Sequence, residues 1–260
     1  MQATAARPRF LARILLPALT VLLLAGAPPA PVFGAEPDWS TYNALLQQYV
    51  SARTVNGTAI HFVNYGGLRS DPRWPAVVRS VETHAVTGLS PAQKLAFYIN
   101  AYNILAINMI VQNYPVSTIN ALNQGSLTVW KRPAGNIGGR SLSLDDIEHS
   151  IIRPMGDARI HFAVVCASLS CPDLRREAYT ASRLHAQLDD QARRFLSNPG
   201  KGLRVEGNVV HVTKLFEWFA EDFTRAAGSV EAFVRRYVTD LPAGAQVRTD
   251  IPYLWNLNGA

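Results

Sequence analysis

Cysteine is scarce in this 260-residue chain, which contains only Cys166 and Cys171. Two cysteines are too few for a disulfide scaffold, so a hydrophobic core must hold the fold, and nearly half of the residues are hydrophobic. Four residues separate the pair, which differs from the C-x-x-C spacing of thioredoxin-like sites and weakens a redox interpretation. No second pair exists to complete a structural zinc site, and we predict neither a metal ion nor a cofactor.

Runs of like charge are also missing. Lys and Arg are scattered along the chain and do not form a basic stretch interleaved with aromatic residues, so nucleic acid is not an expected partner. We see no internal repeat and no low-complexity linker after residue 34. These absences predict a single globular domain over residues 35–260.

The first 34 residues have the composition of a signal peptide. Arg7, Arg9 and Arg13 precede the apolar run Ile14–Ala27, and small residues follow up to Gly34. The run is short and interrupted by proline, which disfavours stable membrane insertion, and an uncleaved anchor is the alternative. No cysteine is near enough for a lipid anchor. We therefore expect a periplasmic or secreted protein.

The pattern of the remaining chain predicts an α+β fold, mostly helical, with a small antiparallel sheet. Its strongest element is the segment Leu89–Pro115, in which Ser90 is a suitable N-cap, Pro91 fits the first helical position and Pro115 ends the helix. This segment is apolar almost all round, so we expect a central buried helix around residues 91–113. Further predicted helices are Trp39–Ser51, Val77–Thr83, Ser143–Pro154, Thr180–Leu196, Lys214–Phe223 and Val230–Val238; predicted strands are Ile60–Val63, Leu127–Arg132 paired with Ile137–Ser141, Ile160–Cys166, and a hairpin over Leu203–Thr213.

The predicted strand Ile160–Cys166 determines which histidine we pair with Cys166. Side chains alternate along a strand, so His161 and Cys166 would point to opposite faces. His149 is then the better partner, because Asp146, His149 and Arg153 form a polar stripe on the predicted helix 143–154. A carboxylate one turn away would raise the basicity of the imidazole, which a catalytic thiol needs. The alternative is an ordinary solvated helix face.

Cys166 itself has several interpretations. At the end of a strand it is placed where nucleophiles often lie, and backbone N–H groups near Ser168 would then face an oxyanion. It also fits a small buried hydrophobic residue, or a disulfide with Cys171. These alternatives stay open at the level of the sequence.

Asn100 and Asn103 are three residues apart on the predicted core helix, so they share one face. A buried amide without partners costs about 1–3 kcal/mol, so each must bind a backbone or a site group. Fixing a loop is the favoured role, and orienting the catalytic histidine is the alternative for Asn103. The hydroxyl of Tyr102 lies on the same surface and can reach a cleft.

Several segments together resemble the domain of unknown function 547 family. They are FYINAYNILAI (97–107), SLDDIEHSIIR (143–153), HFAVVCASLSCPDLR (161–175), KLFEWFAEDF (214–223) and IPYLWNLN (251–258). The resemblance implies a self-contained domain found in exported bacterial proteins and as a module in larger eukaryotic proteins. It implies no reaction, and its motifs include Asn100, Asn103, Glu148, His149, Cys166, Cys171 and Pro172.

Two main functional hypotheses follow. The first is a thiol-dependent hydrolase or acyl transferase with a mechanism like that of papain or the transglutaminases. Cys166 would attack an acyl or amide carbon, His149 would act as the base, and Asp146, Glu148 or Asn103 would orient His149. The second is a noncatalytic binding or structural module with a Cys166–Cys171 disulfide; a thiol–disulfide redox protein is a third option. The expected binding residues are Asn100, Tyr102, Arg153, Ser168 and Cys171.

Overall fold

The computed structural model describes residues 34–260 and the isolated Gln2. The predicted signal peptide, residues 1–34, therefore lies outside the described residues except for these two positions. Residues 34–260 belong to one compact unit. Its helices are α1 (Ser40–Tyr49), α2 (Tyr65–Ser70), α3 (Trp74–Glu82), α4 (Pro91–Asn113), α5 (Leu184–Leu196), α6 (Leu215–Trp218), α7 (Ala220–Ala227) and α8 (Val230–Arg235), and its strands are β1 (Val50–Val55), β2 (Thr58–Val63), β3 (Pro133–Ile137), β4 (Arg140–Ser143), β5 (Leu203–Glu206), β6 (Val209–Thr213) and β7 (Gln246–Ile251).

Helix α4 is the centre of the domain, which confirms the predicted α+β fold with a buried central helix. Ser90 and Gln93 form a capping box at its start, and every residue from Leu95 to Val111 is buried. Among the described residues, α4 is the one helix long and apolar enough to cross a membrane, but 94% of its most apolar window is buried within the protein. That burial is the environment of a core helix.

The strands form three small sheets: β1–β2, β3–β4 and β5–β6–β7. The Gly207-Asn208 turn joins the antiparallel pair β5–β6, as predicted. Strand β7 pairs with β6 in parallel, whereas the sequence had predicted only antiparallel pairing. The predicted pairing of 127–132 with 137–141 is displaced along the chain. Val129–Lys131 is a 3-10 helix, and the hairpin is formed by β3 and β4.

The predicted strand Ile160–Cys166 is wrong. Residues Ala158–Phe162 form a 3-10 helix, capped by the Asp157 side chain, which accepts from the N–H of Arg159. The chain then turns, and the amide of Asn103 binds its backbone on both sides of Val164. The segment finds its hydrogen bonds locally and on α4, so no neighbouring strand is needed.

The predicted helix 143–154 also differs in type. Ser143 caps it as expected: its hydroxyl accepts from the N–H of Asp146, and the Asp146 carboxylate accepts from the N–H and hydroxyl of Ser143. The helix then continues as a π-helix, Asp146–Ile152. A π-helix has a wider turn than an α-helix, so the side chains no longer follow the spacing used for the predicted polar stripe.

Two groups of buried side chains make up the core. One surrounds α4, and the second is built from phenylalanines that include Phe162, Phe216, Phe223 and Phe233. Tyr253, in the tail after β7, packs against both groups. The tail also pairs with the segment that follows Cys166, through the N–H of Leu169 to Asn256 O and the N–H of Asn258 to Ala167 O. This junction is where the candidate site lies.

Candidate functional site

A pocket of about 210 Å³ opens at the junction of the two core groups. Its wall combines aromatic rings, two histidines, two carboxyl groups and both cysteines. The lining residues come from α4, the 3-10 helix Val129–Lys131, residues 145–149, the 158–172 segment, residues 215–219 and the C-terminal tail. They are Tyr102, Trp130, Asp145, Glu148, His149, His161, Val164, Cys166, Cys171, Pro172, Leu215, Trp218, Phe219, Tyr253 and Trp255.

Cys166 and Cys171 form a disulfide, with 6.2 Å between their Cα atoms, and the described residues contain no free cysteine. The alternative of a disulfide between them is thus the one found in the structure. Cys171 is buried, with 2% of its surface exposed, whereas Cys166 is partly exposed at the pocket. The two sulfurs therefore differ in access to a molecule in the pocket. A bonded Cys166 is not a nucleophile, so the thiol-dependent hypothesis requires prior reduction.

Two hydrogen-bond donors face the sulfurs. The N–H of Cys166 lies 3.0 Å from the Sγ of Cys171, and the Tyr253 hydroxyl lies 3.2 Å from each sulfur. The Ser168 hydroxyl donates to the Tyr253 oxygen at 3.1 Å, which leaves the Tyr253 O–H free to donate to sulfur. Burial raises the pKa of Tyr253, so this hydroxyl keeps its proton at neutral pH.

Ala167, directly after Cys166, has a left-handed backbone with φ of +62°. Such a conformation is uncommon for a residue with a Cβ atom, and it persists only where the surroundings enforce it. Here the tail holds Ala167 O, and the buried Lys201 ammonium donates to Cys171 O at 2.9 Å. The disulfide loop is therefore fixed from both sides.

His161 lies in the pocket wall, and the argument from strand alternation that excluded it fails because the strand is absent. Its side chain is fully buried and stacks on Phe219, with ring centroids 3.8 Å apart. The Nε2 lies 2.8 Å from Asp222 Oδ2, and Nδ1 has no hydrogen-bond partner among the described residues. Because an ionised carboxylate only accepts, Nε2 carries the proton and Nδ1 keeps a free lone pair.

Asp222 is ionised although it is mostly buried. Burial acts to raise the pKa of Asp222, but hydrogen bonds from Arg153 and His161 outweigh it and bring the pKa down to about 2. Arg153 Nε lies 2.7 Å from Asp222 Oδ2. Burial lowers the pKa of His161 to about 4 in spite of Asp222, so the imidazole is neutral at physiological pH.

Glu148 is the carboxyl group deepest in the pocket wall. Its side chain is 13% exposed, and Oε1 lies 3.9 Å from His161 Nδ1, beyond hydrogen-bond distance. Burial raises the pKa of Glu148 to about 7, and the neighbouring Tyr102 hydroxyl only partly opposes this. Glu148 can therefore take up or release a proton near neutral pH.

His149 lines the outer part of the pocket, with 38% of its side chain exposed. Its Nδ1 contacts the Arg153 guanidinium at 2.9 Å and its Nε2 lies 3.7 Å from Asp145 Oδ1. Burial lowers the pKa of His149, although Asp145 opposes this. Its carboxylate neighbour is thus Asp145, while Asp146 turns away to bind Ser143.

Both core asparagines bind backbone groups of distant segments. Asn103 donates to Ala163 O at 3.0 Å and accepts from the N–H of Val165 at 2.8 Å. Asn100 makes the same paired contact with the backbone of Tyr179. Asn103 positions the segment that carries His161 and Cys166, so it acts on the pocket through the backbone.

Sequence reasoning missed Asp222, Tyr253, Phe219 and the tryptophans of the pocket. The segments KLFEWFAEDF and IPYLWNLN contain all of them except Trp130, and their density of aromatic residues was the available signal. Of the predicted residues, the pocket wall includes Tyr102, Glu148, His149, Cys166 and Cys171, and not Asn100, Asn103, Asp146, Arg153 or Ser168. No group of three or more His, Cys, Asp and Glu side chains in residues 34–260 is arranged to hold a metal ion.

The fold and the pocket define an α+β domain with a disulfide in an aromatic pocket. Residues 86–196 match the model of the family described as "Protein of unknown function, DUF547", which supports the resemblance to this family. No curated protein and no solved structure matches the chain. The match includes α4, the π-helix, the disulfide and α5, whereas Trp218, Asp222 and Tyr253 lie after it.

Proposed function

We propose that this protein is an exported thiol–disulfide exchange protein, in which the Cys166–Cys171 disulfide reacts with thiols that enter the aromatic pocket. One observation carries the proposal: a disulfide with one partly exposed and one buried sulfur lines a pocket and is surrounded by hydrogen-bond donors. The arginine-flanked apolar segment at residues 7–27 supports export to a compartment in which disulfides persist.

The exchange begins at the accessible sulfur. A substrate thiolate attacks the Sγ of Cys166, a bond forms between these sulfurs, and the Cys166–Cys171 bond breaks. Its electron pair leaves on Cys171 as a thiolate. The N–H of Cys166 and the hydroxyl of Tyr253, which already contact this sulfur, stabilise the developing charge.

A second thiolate of the same substrate completes the reaction. It attacks the substrate sulfur of the mixed disulfide, and Cys166 leaves as a thiolate. The substrate dithiol has then been oxidised to a disulfide, and the protein disulfide has been reduced to two thiols. The two protons lost by the substrate thiols are taken up by the cysteines. Glu148, with a pKa of about 7, is the pocket group suited to passing a proton.

A thiol-dependent hydrolase or acyl transferase is the second candidate function, and one observation favours it. The Asp222–His161 pair has the geometry of an oriented general base, with Nδ1 unpartnered in the same pocket as Cys166. In this function the reduced Cys166 attacks an acyl carbon, with His161 as the base in place of the His149 inferred from the sequence. Reduction of the disulfide is then an activating step.

The redox potential of the disulfide tests the proposal. Purified protein is equilibrated in glutathione buffers of graded potential, and the thiol and disulfide forms are separated by alkylation and mass spectrometry. We expect a midpoint above about −250 mV, since structural disulfides lie below about −300 mV. A midpoint in the structural range contradicts the exchange function and supports a noncatalytic binding or structural module.

Trapping of a mixed disulfide identifies the attacked sulfur. Cys171→Ser leaves Cys166 at the pocket without its partner, and Cys166→Ser is the matched control that leaves only the buried sulfur. We expect the first variant, and not the second, to form mixed disulfides with an oxidised peptide. Turnover of thioesters by the reduced wild type, abolished by His161→Gln, would instead assign the hydrolase or acyl transferase function.

A further inference from the structure

We infer that the substrate carries a cationic side chain, lysine or arginine, next to its reacting cysteine. The inference rests on the proposed exchange function and names its substrate class. Its basis is an aromatic wall next to the disulfide and a carboxylate without a Lys or Arg partner that lines the same pocket.

The aromatic wall is a contiguous cluster of rings. Trp218 and Tyr253 have centroids 4.8 Å apart, Tyr253 and Trp255 4.7 Å, and Trp130 lies 6.0 Å from Trp255. Trp218 is 45% exposed, which is unusual for a side chain of this size. Tyr253 connects the wall to the reaction, since its hydroxyl contacts both sulfurs. A group held on these rings is therefore held next to the disulfide.

The charge of the pocket determines which kind of substrate side chain binds on the aromatic wall. Asp145 lines the pocket, and among the described residues no Lys or Arg nitrogen lies within 4.0 Å of its carboxylate. Among the described residues, the one basic nitrogen within 4.0 Å of the Asp145 carboxylate is His149 Nε2, at 3.7 Å. The nearest guanidinium on the same helical segment, that of Arg153, is bound to Asp222. A negative charge thus faces the pocket without a cation of the protein against it.

A cationic side chain satisfies both features at once. Lys and Arg bind over the faces of Trp and Tyr rings, and they pair with carboxylates. An uncharged aromatic side chain would stack on the same wall but would displace water from Asp145 without replacing its hydrogen bonds. An anionic side chain would be repelled. The volume of about 210 Å³ suits one side chain together with the reacting sulfur.

The test compares three small thiols that differ in one residue: acetyl-Arg-Cys-amide, acetyl-Leu-Cys-amide and acetyl-Glu-Cys-amide. The rate at which each reduces the protein disulfide is divided by its rate toward hydroxyethyl disulfide, which removes differences in intrinsic thiol reactivity. We expect the Arg peptide to exceed the Glu peptide by about tenfold after this correction, with the Leu peptide between them.

Two variants identify the groups responsible. Asp145→Asn should reduce the preference to about threefold, and Trp218→Leu, which keeps an apolar side chain at an exposed position, should reduce it similarly. Asp240→Asn is the matched control, because it makes the same change in net charge at an exposed residue that contributes nothing to the pocket. This variant should retain the wild-type preference.

A second measurement separates failure of the inference from failure of the exchange function. Acetyl-Arg-Ser-amide cannot exchange, and its binding is followed by the fluorescence of the pocket tryptophans. Binding that is weakened by Asp145→Asn supports a cation site whether or not exchange occurs. Equal corrected rates for the three thiols overturn the cation preference and leave exchange intact, whereas absence of reduction by every thiol overturns the exchange function. Absence of both binding and rate preference overturns the inference.

Discussion

The ring of His161 binds the carboxylate of Asp222 across 61 residues of sequence, with 2.8 Å between Nε2 and Oδ2. The same carboxylate oxygen accepts from Arg153 Nε at 2.7 Å. One carboxylate thereby fixes the tautomer of a buried imidazole and neutralises the guanidinium that packs over Phe219. This cluster joins Arg153, which directly follows the π-helix, to the 3-10 helix Ala158–Phe162 and to α7.

Replacement of Asp222 should destabilise the protein. In Asp222→Ala the His161 N–H and the Arg153 guanidinium both lose their acceptor, so we expect the free energy of unfolding to fall by about 2–4 kcal/mol at pH 7. Urea unfolding measures the change. Glu221→Gln, at the exposed neighbouring position, is the control and should change stability by less than about 0.5 kcal/mol. A similar loss in both variants would show that the contacts of Asp222 are not the cause.

The Asp222 cluster also predicts acid sensitivity. The folded-state pKa of about 2 lies below the ordinary aspartate value of 3.8, so the stabilisation is complete above that value and is lost as the pH falls toward 2. The Asp222→Asn variant cannot titrate at this position. Its free energy of unfolding should therefore fall less steeply than that of the wild type between pH 4 and pH 2. Equal slopes in this window contradict the assignment.

Glu148 predicts a pH dependence of opposite sign. Its folded-state pKa of about 7 lies above the ordinary value of 4.5, so the folded protein keeps a proton that the unfolded chain loses as the pH rises between these values. The free energy of unfolding consequently decreases across this window. Glu148→Gln should be more stable than the wild type by about 1–3 kcal/mol at pH 8, and nearly equal to it at pH 4. Denaturant titrations at both pH values give the comparison, and an equal difference at the two values counts against a buried neutral carboxyl.

Removal of the Asn103 amide should act on the pocket from a distance. Asn103→Ala leaves Ala163 O and the N–H of Val165 without their buried partner, so we expect a loss of about 2–3 kcal/mol in unfolding free energy. The 158–166 segment should also become more mobile, which hydrogen exchange at Val165 would detect. Asn113→Ala is a suitable control, because Asn113 is exposed at the end of α4 and binds only the backbone of its own helix. Unchanged protection at Val165 in Asn103→Ala would contradict the positioning role.

The Tyr253 hydroxyl should control the chemistry of the disulfide with little effect on the fold. Tyr253→Phe keeps the ring in the aromatic wall and removes the donor 3.2 Å from each sulfur. We expect the pKa of the Cys171 thiol in the reduced protein to rise and reduction by dithiothreitol to slow by about tenfold to a hundredfold, since a hydrogen bond to a charged group contributes about 1.5–3 kcal/mol. Thiolate absorbance and alkylation rates across pH measure both. An unchanged thiol pKa together with an unchanged reduction rate would contradict donation to sulfur.

Helix α4 and the β5–β6 hairpin are predictable because their signals are local. A serine N-cap, a proline at the first helical position and a segment that is apolar almost all round specify a helix at α4. The two-residue turn at Gly207-Asn208 likewise fixes the register of its hairpin. Neither element requires knowledge of a distant residue.

The segment Ile160–Cys166 shows the opposite case. Its β-branched and aromatic residues fit a strand, yet Asp157 caps a 3-10 turn at its start and Asn103 takes up backbone groups that a neighbouring strand would have bound. The choice depends on a side chain about sixty positions away, which composition and periodicity do not contain. The wrong strand led directly to the exclusion of His161 from the site.

The sequence by itself determined the α+β composition, the central helix and the segment that holds both cysteines, because capping residues and hydrophobic periodicity act over short distances. Only the tertiary structure decided that the cysteines are bonded to each other, that His161 is paired with Asp222, and that Tyr253 and three tryptophans form one wall of the pocket. These relationships join residues from four separated stretches of the chain, around residues 130, 161–171, 218–222 and 253–255. Their energies come from burial and from contacts that exist only once the two core groups have packed together.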